Sequence, residues 1–499
     1  MGVGGASPTA GTSCATCLRK FTVHFRRPYR VGGKPRNNST SHILKYNGDF
    51  GFDWLRDEYL NAIETVGRIK TPILKQANNK DFVSKLKKNY TEGVRKISPF
   101  GTEYIPSHLA IFATNVNKEN PNASKSINRE GALLSIEIHQ LQGDDSTPLT
   151  DDGTELVFEV NDPSIKISTS TGKEKKNRVK IQLKNFLSLQ ENRDLGKGGG
   201  VRKFYMKEDV LRITCEGDTT RGATIVVKAR KGNIEEEVGI MNIVANNYIP
   251  KARICLVNIR VNKNPINQPQ GLEYRLKYQA FNQALIRADV VKKDDFDIFD
   301  LYVKHKSKDL ENFLNKYYYH AKKLSDNNSV VDYSESESFK NDICALYQKY
   351  KNIKPINSDY TKETYIFFSN IRFENNNNNT ILLGSAMRGK ETGSDIVKWG
   401  NAVILTRDGS NDLETVVHEI LHSFGVTHVF EEPEGDREYS LHKGFTDNFM
   451  DYKDTSNNGR SKYAEEPPTS TVKKVTPGNQ TSLFRFQWNI LRKDRSVQP

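Results

Sequence analysis

The stretch Val417-His418-Glu419-Ile420-Leu421-His422-Ser423-Phe424-Gly425-Val426-Thr427-His428 constrains this chain more than any other. It reads His-Glu-x-x-His-x-x-Gly-x-x-His, with five fixed positions. At equal residue frequencies such a match arises by accident roughly once in several thousand chains of this length, and histidine is rarer than average. The spacing has a physical reason. His418 and His422 lie four residues apart, so on a helix they project from one face and can both reach one metal ion. Glu419 is adjacent to a ligand but turned aside, which leaves its carboxylate to hold a water rather than the metal. Leu413, Val416, Val417, Ile420, Leu421 and Phe424 form the apolar stripe of a buried helix, with Asn411 or Asp412 placed to cap its start. Gly425 ends that helix where a residue without Cβ can adopt a left-handed turn. The turn brings the chain back so that His428 supplies a third nitrogen. Three histidines and a position open to water are the ligand set of one catalytic Zn2+.

With these residues the chain resembles the metzincin zinc metalloproteases, whose long zinc motif is matched at all five positions. A second hallmark of that family is a tight turn bearing a methionine beneath the metal. Thr446-Asp447-Asn448-Phe449-Met450-Asp451-Tyr452 is similar to it, with Met450 as the turn methionine. Tyr452 stands where some metzincins carry a tyrosine that contacts zinc or the transition state. Val429, after the third histidine, matches none of the best-known subfamilies, so the subfamily is unassigned. The resemblance covers about the last half of the chain. It implies an α+β catalytic domain that hydrolyses a protein or peptide substrate, with Glu419 as general base. It also implies an edge strand that binds the substrate backbone by strand addition. Leu382 to Met387 fits that strand, with Gly384, Ser385 and Ala386 at its centre.

Blander readings stand beside these. His-Glu-x-x-His alone is often the solvated face of an amphipathic helix. Met450 alone is an ordinary core methionine, and Tyr452 alone is packing. His442 reads as a loop histidine.

Composition bounds the rest. The 499 residues suggest two or three domains. Hydrophobic residues make up 36%, enough for real cores, while a mean hydropathy of -0.66 marks a very polar surface. The net charge of +13 is spread and mixed in sign and reads first as a solvated surface that can attract anionic surfaces or acidic substrates; no nucleic-acid-binding module accompanies it, so no nucleic acid is expected as a partner. Five cysteines are no disulfide framework for a chain of this length. Cys14 and Cys17 form a lone Cys-x-x-Cys, read as two thiols in an unstructured tail or as a thiolate holding the zinc in a latent form. Residues 1–30 lack the apolar core of a signal peptide, and no stretch is long enough to cross a membrane. The expectation is export without a cleaved signal peptide, through a dedicated machine, with a cytoplasmic location as the alternative.

The chain divides into a flexible lead (1–40), a docking region (41–107), a β-sandwich (108–247) and a metzincin-like zinc protease domain (248–499). Phe21 to Phe25 alternates like a strand inside the lead. The aromatic-rich Gly48 to Tyr59 is similar to segments of bacterial secretion-system cargo, and otherwise reads as a packing cluster. Seven β-branched runs follow: His108–Val116, Ala132–Leu141, Leu156–Val160, Val179–Phe186, Val210–Cys215, Ala223–Ala229 and Val238–Ala245. They suggest an immunoglobulin-like sandwich. Gly196 to Gly200 lacks the Lys-Ser/Thr ending of a phosphate loop. Beyond Pro250 the pattern predicts a strand over Ala252–Val261 and an amphipathic helix through Tyr274, Tyr278, Phe281, Leu285 and Ala288. A charged helical insertion over Asp309–Asn352 comes next, with Leu310, Phe313, Leu314 and Tyr317 inward. Strands then cover Thr364–Phe373, Ile381–Met387 and Ala402–Leu405, and a closing helix lies in Leu483–Leu491. Two functions from different classes fit. One is a secreted or machine-delivered zinc endopeptidase. The other is a delivered binding or docking protein that contacts a secretion apparatus through its N-terminal half, its protease domain secondary or latent.

Overall fold

A computed structural model describes residues 17–28, 46–61, 72–114, 127–323 (without 145, 173 and 196–199), 329–353, 362–387 (without 376 and 378), 401–433, 438–452 and 480–498. Cys14, most of the Gly196–Gly200 run and the segment from 453 to 479 lie outside these. The chain is a mixed α/β protein with several sheets.

Two sheets are built largely from the first half. In one, Phe21–Arg26, Ala132–Gln140, Val201–Cys215 and Ile165–Thr169 lie side by side in that order, with Gln190–Asp194 against the start of the long third strand. The other runs Gly51–Asp53, Ser107–Ala110, Ile234–Ile243, Ala223–Lys231, Glu155–Val160, Arg178–Gln182. One core lies between them, where Phe25, Ile136 and Leu211 of the first meet Phe158, Ile225 and Val227 of the second. Each of the seven apolar runs contributes a strand. The stretch Phe21–Arg26, inside the expected flexible lead, is instead an ordered strand registered from Phe21↔Gln140 to Arg26↔Ser135. Period-two alternation turns Phe21, Val23 and Phe25 into the core, and that burial fixes the strand.

The third sheet positions the histidines. Its order is Arg287–Asp297, Lys251–Arg260, Thr364–Ser369, Ala402–Leu405, Gly384–Met387. The first four are parallel to one another and the last is antiparallel to its neighbour. Both faces are covered, so Thr364–Ser369 is buried at every position. On one face Ile366, Phe368, Val403 and Leu405 pack with Val416, Val417, Ile420 and Leu421 of the helix Leu413–Ser423. On the other, Tyr365, Phe367 and Ile404 pack with Leu310, Phe313, Leu314 and Tyr317 and with the helix Ser336–Tyr350.

Two predicted elements differ. The insertion is not one helical stretch. Helical turns over 308–319 are followed by strands Lys322–Lys323 and Ser329–Asp332, the latter paired with Arg372–Glu374, before Ser336–Tyr350. The helix predicted through Tyr274 is short and irregular. It passes from Leu272–Arg275 through a wide turn at Leu276–Ala280 and a tight one at Phe281–Ala284, and Ala288 already belongs to a strand. Its buried side is set by Leu272, Leu276, Ala280 and Phe281, leaving Tyr274 exposed. Buried polar side chains fix that phase. Arg275 donates to Gln480 O at 2.7 Å, Asn282 to Gly48 O at 2.9 Å and Gln283 to Thr481 O at 2.8 Å.

The first half does not stand apart. Tyr59, Ile73, Leu74, Leu86 and Tyr90 are buried in the same core as the helix Leu413–Ser423. Among the described residues no helix is long and apolar enough to cross a membrane.

Candidate metal centre

The histidine helix has definite ends. Asp412 is extended (φ -94°) and its carboxylate accepts from Thr415 N at 3.1 Å, satisfying a donor that the first turn leaves open. At the other end Gly425 takes φ +86°. Gly425 N donates to His422 O at 2.9 Å and Val426 N to Leu421 O at 3.2 Å, the paired bonds of a left-handed helix stop. The reversed chain then carries His428 back over the helix.

The three Nε2 atoms converge. His418 and His422 are 3.0 Å apart at Nε2, His422 and His428 3.0 Å, and His418 and His428 3.1 Å. Each ring is turned by an oxygen at its other nitrogen. His418 Nδ1 donates to Phe449 O at 2.7 Å, His422 Nδ1 to Val426 O at 2.7 Å, and His428 Nδ1 to a Glu431 carboxylate oxygen at 2.5 Å. With the proton on Nδ1, three Nε2 lone pairs face one another. A cation placed among them would relieve that repulsion. Three nitrogens about 2.0–2.1 Å from one zinc in tetrahedral array stand about 3.3 Å apart, so the observed triangle fits with a small expansion. Oxygen acceptors behind each ligand are what such sites carry. Burial drives the pKa of His418 down to about 4 and that of His422 down to about 3, the neighbouring imidazoles adding to both, so each is neutral and able to ligate at pH 7.

Glu419 projects from the same helix toward the edge strand Gly384–Met387. Gly384 is needed there. A Cβ on it would lie 2.7 Å from Glu419 Cγ and 3.0 Å from Leu405 Cδ2. Burial raises the Glu419 carboxyl to about 7, against a smaller lowering by the Lys340 ammonium. Ser385 and Ala386 lie on the same strand, paired with Ile404 and Val403. Among the described residues no strand pairs with its other edge. Tyr452 is half-exposed with its ring centroid 4.7 Å from that of His428 and 5.4 Å from that of His418. Met450 is buried in the core that holds the helix, and its carbonyl accepts from Val429 N at 3.2 Å. The structure thus brings His418, Glu419, His422, His428 and Tyr452 together, with the edge strand beside Glu419. His442 is elsewhere, its backbone N donating to Ile73 O.

Several supporting residues escaped the sequence reading. Glu431, three residues past His428, was open to detection as a carboxylate in reach of a ligand. Phe430, whose ring stacks on His428 with centroids 4.8 Å apart, was not. Neither was Asp447, 6% exposed, whose carboxylate accepts from Arg27 at 2.5 Å, Arg56 at 3.1 Å and Ser482 Oγ at 2.9 Å. Burial would raise this carboxyl, but the two guanidiniums outweigh it and hold it below the usual carboxylate range. Cys17 is exposed, with its carbonyl 3.4 Å from Lys231 Nζ. A second cluster of potential ligands, Asp57, Glu137 and His139, already holds cations: Arg26 lies 2.7 Å from Glu137, and Arg193 3.1 Å from both Glu137 and Asp57. No known protein family and no curated protein matches this chain.

Proposed function

We propose that this chain is a zinc-dependent endopeptidase. The carrying observation is the convergence of three Nε2 lone pairs beside the carboxylate of Glu419 and a strand edge that, among the described residues, no other strand occupies. His418, His422 and His428 hold the ion as neutral imidazoles. Zinc, when bound there, acts as a Lewis acid that polarises the scissile carbonyl and acidifies the attacking water. Glu419 takes the proton of that water and returns it to the leaving amine. The Tyr452 phenol, raised to about 12 by burial and by the carboxylates of Glu419 and Glu431, keeps its proton at neutral pH and can donate it to the developing oxyanion. Gly384 to Met387 hold an extended peptide through backbone hydrogen bonds.

A metzincin-type domain is the reading that best accommodates an antiparallel edge strand beside four parallel ones, the long histidine motif and the buried Met450. An immunoglobulin-like sandwich is the corresponding reading of the two facing sheets. The test is metal content together with cleavage of a mixed peptide library by wild type and Glu419→Gln. One zinc in each, with cleavage by wild type alone, is the expected result. A cleaving Glu419→Gln would remove the general base from this scheme, and a wild type that takes up no zinc would overturn it.

A further inference from the structure

We infer that Arg27 and Arg56 are positioning residues of the metal centre, acting through Asp447 on the carbonyl that orients His418. The inference rests on the metal-binding part of the function proposed above. Its path is short. His418 Nδ1 donates to Phe449 O. Phe449 is held by its own N–H, which donates to Ser482 O at 2.9 Å. Ser482 is in turn tied to Asp447 twice: its hydroxyl donates to the carboxylate at 2.9 Å and its N–H to the Asp447 carbonyl at 3.0 Å. Asp447 is therefore the joint where the turn 446–451, the segment 480–482 and the two arginines meet.

The arginines are themselves held in place. Arg56 Nη1 donates to Tyr59 Oη at 2.8 Å, and its guanidinium lies 4.2 Å from the Trp54 ring centroid. The Arg27 guanidinium lies 4.4 Å from the Tyr46 centroid and 4.9 Å from that of Trp54. Planar guanidiniums fixed on aromatic faces approach a carboxylate in one geometry, which a mobile lysine would not keep. A second tie serves the third ligand. Lys75 N donates to Ser440 O and His442 N to Ile73 O, while Leu441 N donates to Val429 O and Val429 N to Met450 O. Residues 73–75 thus form the outer rung beside the loop that follows His428. The histidine motif itself requires none of this. It needs an acceptor at Nδ1, and here that acceptor is set from parts of the chain that precede the motif by hundreds of residues.

Because a buried ion trio can also do no more than join two parts of a molecule, the test must separate positioning from stability. Full-length wild type is compared with Arg56→Lys, with the triple variant Arg27→Met/Arg56→Met/Asp447→Leu, which leaves the buried Asp53 to the N–H groups of Trp54 and Arg485, and with Arg193→Met. The last breaks the Asp57–Glu137 cluster, which adjoins Arg56 along the chain but makes no bond to Asp447, and so controls for destabilisation that does not pass through that carboxylate. Zn2+ and Co2+ affinities are measured by competition with a chelating indicator, and the visible band of the Co2+ form is recorded. The expected result is a 10–100-fold weaker zinc affinity and a changed cobalt band in the folded triple variant, a smaller change in the same sense for Arg56→Lys, and none for Arg193→Met. Should the triple variant not fold, Arg56→Lys decides by the same readouts. Wild-type affinity and band in the folded variants would overturn the inference, as would an equal loss in Arg193→Met. A wild type that binds neither metal would sink the proposed function, and this inference with it.

Discussion

At the scale of single residues, the centre is a set of three histidines whose ring nitrogens converge closely enough to hold one metal ion. Three imidazoles turn their Nε2 atoms to within 3.1 Å of each other, each locked by an oxygen on its far side. The convergence of the three histidines was legible in the sequence because helical geometry makes His418 and His422 neighbours and Gly425 supplies the turn that returns His428. Their acceptors were only partly legible. Val426 and Glu431 are local, but Phe449 O reaches His418 across 31 residues, and Arg27 reaches Asp447 across 420. No short-range pattern encodes such pairs. Gly384 offers a test at this scale. A methyl group there would stand 2.7 Å from Glu419 Cγ and 3.0 Å from Leu405 Cδ2, so the Glu419 side chain has to shift to admit it. Gly384→Ala is expected to bind zinc as wild type does and to lose peptide cleavage by at least tenfold, because the carboxylate is pushed off its position. Unchanged cleavage would show that Glu419 has room the geometry does not suggest.

At the scale of elements, legibility followed burial of apolar side chains. The helix Leu413–Ser423 and the strand Ala402–Leu405 were readable because periodicity and burial agree. The segment 272–285 was not, because Arg275, Asn282 and Gln283 go inward to backbone carbonyls of other segments, and these polar contacts override the amphipathic phase. Lys340 is a comparable case. It belongs to the helix Ser336–Tyr350, on the sheet face opposite the histidine helix, and is only 6% exposed. Its ammonium donates to Ser385 Oγ at 3.0 Å and pairs with Glu337 at 2.6 Å. It therefore pins the edge strand from behind, at the residue next to Gly384. Lys340→Met retains the apolar stem and removes the bond. Faster amide exchange in residues 384–387 is expected, with zinc affinity unaltered. If exchange there stays at the wild-type rate, the strand is held by its pairing with Ala402–Leu405 alone.

At the scale of the molecule, the sheets of the first half and the third sheet share one structural junction, and a histidine lies in it. His108, in the strand Ser107–Ala110, bonds through Nε2 to Tyr90 O at 2.9 Å, and Tyr90 is buried in the core of the histidine helix. Arg485 approaches from the start of the helix Arg485–Lys493, where its backbone N–H donates to the Asp53 carboxylate at 2.8 Å. Burial first, and the Arg485 charge second, lower His108 to about 3; the Tyr90 carbonyl only partly opposes them. The sign follows directly. A histidine whose pKa is lowered on folding is neutral in the native state, while the unfolded chain takes up its proton below about 6.5. The stability linked to His108 is therefore intact above about pH 6.5 and is lost as the pH falls toward 3. At pH 4.5, two units below the unfolded value, the loss from this one group is ~2.7 kcal/mol. That is a large share of the 5–15 kcal/mol typical of a domain. His108→Gln can still donate to Tyr90 O but cannot take up a proton. Its unfolding free energy, measured by urea titration at several pH values from 7 to 4.5, should fall less steeply than that of wild type by about one proton. His24, buried in the first sheet with its pKa also lowered by burial, contributes to the acid slope of both proteins and cancels in the comparison. Parallel slopes would mean that the junction opens to water before His108 is protonated.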